Sequence, residues 1–211
     1  MALYALAGEV RAHLKQAYAD GNENEQELWK DRLRDLGLRV ADALVEMGEL
    51  ETANRHLDSL TDTYADEVTY RKAVLRIRVG DVVGAHHYVG KLQNDIRKAT
   101  LGILLKMADG QDATSSWHDL LEQHPNDGLV ANNLAVSSLY AGDIVDARQL
   151  LEQTLGRSPA FAGVLFNIST IYELCSERAV DHKTRLAHTL AAKLPESASG
   201  GWERAGVEFK L

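Results

Sequence analysis

A single cysteine, Cys175, among 211 residues excludes an intramolecular disulfide framework and leaves no CxxC spacing for a structural zinc site. The opening stretch MALYALAGEV has a short apolar run, no basic leader and an early Glu9, so it does not read as a secretory signal. A reducing, cytoplasmic compartment is the expectation. No run approaches the roughly 18 uninterrupted apolar residues of a membrane span, and direct membrane insertion is therefore not expected. Three prolines leave long stretches free of enforced breaks. A formal charge of -8 offers no excess of basic surface to neutralise phosphates, which counts against a nucleic-acid partner. What is present is 45% hydrophobic content, enough for a chain of this length to bury a core in one or two domains.

The stretch from Asn132 to Pro159, NNLAVSSLYAGDIVDARQLLEQTLGRSP, reads as two helices. Apolar residues recur from Leu134 to Tyr140 and again at Ile144, Ala147, Leu150, Leu151 and Leu155. Gly142 supplies the left-handed conformation that ends the first helix, and Asp143 is placed to cap the second. Ala135 and Ala147 fall where two antiparallel helices cross, and Pro159 forbids further helix.

One hairpin cannot bury both of its faces, and copies of it recur. Gly48-Glu49, Gly80-Asp81, Gly110-Gln111 and Gly142-Asp143 stand 32, 30 and 32 residues apart. Five residues past each glycine lies Ala53, Ala85, Ser115 or Ala147, and nine past lies Leu57, Val89 or Leu151, with Asp119 off register in the third copy. Asn133 finds its counterpart in Asn167, 34 residues on. The fifth copy has Ser176 in place of the turn glycine. Ahead of the repeats, Met1 to Tyr18 and Glu25 to Leu36 form a further helical pair around Asp20-Gly21-Asn22.

This pattern resembles the tetratricopeptide repeat family, whose small, aromatic, glycine, small and proline positions are matched by Ala135, Tyr140, Gly142, Ala147 and Pro159. The expected fold is all-α: a right-handed superhelix of about five tetratricopeptide-like helical hairpins, with the first helices lining a concave groove. The expected division is an N-terminal capping hairpin over residues 1–36, repeats over 37–194, and a linker and tail over 195–211. In that tail PESASGG reads as flexible linker, and Trp202, Val207, Phe209 and Leu211 alternate with polar residues. They either fold back on the last hairpin or dock elsewhere.

The runs NNLAVSSLYAGDIVDARQLLE and VLFNISTIYELCSERAVDHKTRLAHTLA further resemble the C-terminal repeat region of the trafficking protein particle (TRAPP) complex subunit 12 family. The residues that carry this are Asn133, Ala135, Leu139, Tyr140 and Gly142, then Val164, Leu165, Phe166, Asn167, Tyr172, Glu173 and Leu174. The resemblance implies a non-catalytic scaffold in a TRAPP complex, whose tethering and Rab nucleotide exchange serve ER-Golgi transport and autophagy. It also implies other subunits as partners, with the chain held peripherally at early secretory membranes. Members of that family are longer, so the chain would be a C-terminal portion or a short relative. The alternative is a tetratricopeptide chaperone adaptor that clamps an acidic C-terminal peptide, for which Arg71, Asn133 and Asn167 stand near the needed positions and Leu101 breaks the pattern.

Catalytic and metal chemistry find little support. Adjacent His86 and His87 point about 100° apart on a helix, no HExxH accompanies them, and His118 and His124 add no ligand spacing. Cys175 has His182 seven residues on but no oxyanion element. No cofactor and no enzyme activity are expected.

The candidate partner-binding groove starts with a basic stretch, YRKAVLRIRVGD, in which Arg71 and Arg78 share a helix face beside Tyr70 and Val74. That face is either solvated and paired with Glu67 and neighbouring acids, or an acceptor for an acidic partner segment. Asn133, Val136, Tyr140, Phe166, Asn167 and Thr170 extend the groove in the later repeats. Asn133 and Asn167 either grip peptide units of an extended chain or satisfy backbone groups between repeats.

Overall fold

The computed structural model describes residues 2–60 and 65–192. The linker and the apolar tail residues Trp202, Val207, Phe209 and Leu211 lie outside the described residues. Among the described residues there are eleven α-helices and no strand. They run α1 (Ala2–Ala19), α2 (Glu23–Glu46), α3 (Leu50–Ser59), α4 (Ala65–Arg78), α5 (Val82–Lys91), α6 (Asp95–Ala108), α7 (Thr114–Gln123), α8 (Gly128–Ala141), α9 (Ile144–Arg157), α10 (Ala162–Cys175) and α11 (Ala179–Ala191). No helix among them is long and apolar enough to cross a membrane.

The periodic glycines act as read from the sequence. Gly21, Gly48, Gly80, Gly110 and Gly142 all have positive φ, between 67° and 98°, and each ends a helix without the Cβ clash that other residues would meet. Capping of the following helix varies. Asp81 accepts from the Gly84 N–H at 2.8 Å, whereas Asp143 makes no side-chain cap bond, against expectation. The last turn needs no glycine: Ser176 is extended, and its Oγ accepts from the Arg178 N–H at 3.0 Å.

The chain divides into two compact units, Met1–Asp109 and Gly110–Leu211. In the first, Leu38, Ala41, Ala53, Leu57, Val68 and Leu75 form one apolar cluster, and Ala73, Ala85, Val89, Leu92, Leu101 and Leu105 another. A third, around Ala7, Val10 and Leu36, fixes α1 to α2. In the second unit a cluster built on Ala135, Ala147, Leu151, Val164, Leu165 and Ile168 joins α8 to α11. Ala135 and Ala147 are fully buried at the α8–α9 crossing, as the spacing requires.

Two sequence expectations are corrected here. The cap was bounded at Leu36, yet α2 runs unbroken through it to Glu46, so one long helix serves both the N-terminal pair and the next hairpin. Gly37 does not break it because its missing Cβ is used: a methyl there would stand 2.8 Å from Leu60 Cδ2, and the Gly37 carbonyl is 2.8 Å from His56 Nε2. In the third copy the small position is not Ser115. There α7 starts two residues later relative to its glycine, so its fourth residue, bonded back to Ala113 as Ala147 is to Asp143, is Trp117. The largest fully buried side chain among the described residues thus stands where the other copies have alanine.

Candidate interaction surfaces

The basic face of α4 lies against α2 and α6. Arg71 Nε donates to Glu67 at 3.0 Å, and its Nη1 pairs with Asp42 of α2. Arg78 reaches Glu46 at 3.7 Å, Lys72 reaches Asp58 at 2.6 Å and Arg76 reaches Asp81 at 3.2 Å. Glu67 also receives Arg97 from α6, whose guanidinium lies 4.5 Å from the centre of the Tyr70 ring. Every basic residue expected to attract an acidic partner therefore already has a carboxylate of this chain. Tyr70, Arg71, Val74 and Arg78 nevertheless line one cleft, of about 310 Å³, with Ala41 and Val45 opposite.

Exposed ion pairs contribute only about 0–1 kcal/mol, so an incoming carboxylate could exchange with Glu46 at Arg78, which is half exposed. Arg71 is held by two acids and is more deeply covered. Pairing with Glu67 and neighbouring acids is one of the two readings the sequence offers, but Asp42 and Glu46 could not be named from it because they lie on another helix.

In the second unit three amides form a chain across α8 and α10. Asn167 Nδ2 donates to Asn132 Oδ1 at 2.9 Å, and Asn132 Nδ2 reaches Asn133 Oδ1 at 3.5 Å. Asn132 is buried, while Asn133 and Asn167 are half-buried. Sequence reasoning passed over Asn132; its signal is a position three residues before Ala135, on the buried stripe of α8. Among the described residues, the side-chain bonds of Asn133 and Asn167 run to Asn132. Val136 is half-buried, and the Thr170 hydroxyl donates to the Phe166 carbonyl at 3.0 Å. Tyr140 and Phe166 are strongly exposed, at 85% and 68%, and present apolar surface on α8 and α10. Leu101 is buried in α6, so a carboxylate clamp has no polar group at that position.

Behind α10 lies a different cluster. The Tyr172 hydroxyl donates to Glu152 at 3.0 Å, its ring stacks on His182 at 5.0 Å, and Arg148 lies 5.3 Å from its centre. Burial, then the charge of Glu152, pushes the phenol up to about 12. Such a group stays protonated at neutral pH. Cys175 is exposed, and the described residues hold no group of three or more His, Cys, Asp or Glu side chains placed to bind a metal.

No family model matches the chain. The human trafficking protein particle complex subunit 12 is 26% identical over 91% of this chain, and the mouse protein is 26% identical over the same share. The chain is thus similar in sequence to this subunit, and its fold is tetratricopeptide-like. It spans about 30% of the length of the human relative and 28% of the mouse relative. A crystal structure of a tetratricopeptide repeat protein from Parabacteroides merdae is similar in fold, with a TM-score of 0.58 over 90% of this chain and 77% of that one. Its identity is 15%, which supports the helical-hairpin fold and nothing further.

Proposed function

We propose that this chain is a non-catalytic scaffold that binds other protein subunits, as part of a TRAPP-type tethering and Rab nucleotide-exchange complex in vesicle transport. The observation that carries this is the 26% identity to subunit 12 across 91% of the chain, on a fold of stacked helical hairpins. On this reading the chain is cytoplasmic and meets early secretory membranes only through its complex. The binding surfaces are the α4 cleft with Tyr70, Arg71, Val74 and Arg78, and the α8–α10 face with Asn133, Val136, Tyr140, Phe166, Asn167 and Thr170. Exposed aromatics such as Tyr140 and Phe166 are the residue types enriched at interfaces, which supports the second face.

The test is co-elution. The purified chain, mixed with a reconstituted TRAPP-type complex lacking subunit 12, should shift to the volume of the complex on size exclusion. Tyr140→Ser with Phe166→Ser should abolish the shift while leaving the helical circular dichroism intact. Separate elution of the parent chain and the complex would reject the reading.

A further inference from the structure

A second cleft, of about 410 Å³, lies on unit Met1–Asp109 and uses none of the α4 groove residues. It opens where two apolar clusters meet along α2: Ala7, Leu33 and Leu36 come from the cluster of α1, and Leu38, Leu60 and Val68 from that of α3 and α4. Its size lies in the range of ligand-holding clefts, roughly 300–1,000 Å³. Gly37 shapes its wall, since the close approach of Leu60 depends on the missing Cβ.

The rim has one sign of charge. Arg11 of α1 and Lys30 and Arg34 of α2 line it, and among the described residues no aspartate or glutamate does. This is unexpected in a chain of net charge -8. Arg11 has no carboxylate partner among the described residues. Lys30 pairs with Glu27 at 3.2 Å and Arg34 with Asp31 at 2.7 Å, exposed acids one turn away on the same helix. Such pairs exchange readily for better-placed carboxylates.

We infer that this cleft docks a short acidic segment of a partner protein, one that inserts a large apolar side chain between flanking carboxylates. The apolar side chain fills the space between the two clusters, and the carboxylates meet Arg11, Lys30 and Arg34. Because the cations come from α1 and α2 and not from one point, they suit charges spread along a chain better than a single headgroup. This inference does not depend on the groove reading above.

The experiment uses the full chain and labelled nine-residue peptides followed by fluorescence anisotropy at low salt. One carries a central Leu-Phe flanked by Asp and Glu, a second the same centre flanked by Lys, and a third the acidic flanks around Ser-Ser. The first should bind at least tenfold more tightly than either control. Arg11→Glu combined with Lys30→Gln, both at the rim, should weaken it at least tenfold without changing the thermal melt. Ser59→Phe, which fills the cleft from the end of α3, should weaken it with the charges intact. Equal binding of the three peptides would overturn the inference. So would parent-like binding by both variants. Binding of phosphatidylserine vesicles in place of the acidic peptide, lost in the Arg11 and Lys30 variant, would overturn it in favour of a lipid surface.

Discussion

The residues that most repay attention are polar ones in apolar surroundings. Tyr172 is buried against Glu152, and its phenol titrates near 12 in place of the usual 10.0. Between those values the unfolded chain has lost a proton that the folded chain retains, so stability falls as pH rises through this window and is intact below it. Tyr172→Phe should remove that part of the decline while lowering stability at neutral pH by about 1–2 kcal/mol through loss of a bond to a charged acceptor. Melting temperatures of parent and variant from pH 7 to 12 check both. The amide chain gives a second test, because its members are unequal. Asn167→Ala strips the buried Asn132 oxygen of its donor and should cost about 1–3 kcal/mol. Asn133→Ala, at the end of a 3.5 Å contact, should melt within a degree or two of the parent. A melt of Asn167→Ala that matches the parent would free both amides for a ligand.

At the level of elements, the fourth residue of the second helix in each hairpin decides how the hairpin packs. Ala53, Ala85 and Ala147 are all fully buried, which leaves room only for a methyl group. Ala135→Leu or Ala147→Leu should overpack the α8–α9 crossing and destabilise by about 1–3 kcal/mol. Trp117, in the same position of α7, has the opposite requirement: Trp117→Ala should leave a cavity and cost about 3–5 kcal/mol. Denaturant titration of the variants reads both numbers. A tolerated Trp117→Ala would show that α7 can close on α8 as the alanine-bearing helices close on theirs.

On the scale of the molecule, the two units carry apolar clusters of their own, and the division falls at the Gly110 turn just ahead of α7 and Trp117. Stability in repeat-like chains is the sum of local terms, so damage stays near its origin. Ala147→Leu should therefore raise hydrogen exchange in α8 to α10 and leave α3 to α5 protected as in the parent. Hydrogen exchange read by mass spectrometry would show this, and uniform loss of protection would mean one cooperative structure.

The repeat was legible in the sequence because its causes are local: glycines at fixed spacing need positive φ, and alanines at fixed offsets need a close crossing. The related complex subunit was legible too, since Asn133 to Gly142 and Val164 to Leu174 occur as continuous strings. The sequence by itself could not place what depends on distant chain segments. The cap reads as ending at Leu36, and that α2 continues through Gly37 depends on Leu60 and His56 beside it. Arg71 and Arg78 read either as paired with neighbouring acids or as open to a partner, and the choice waits on α2, which presents Asp42 and Glu46. Asn132 goes unremarked in the sequence until α10 brings Asn167 to it. Spacing along one helix fixes which residues share a face; only packing decides what stands opposite, and burial and charge neutralisation are set there.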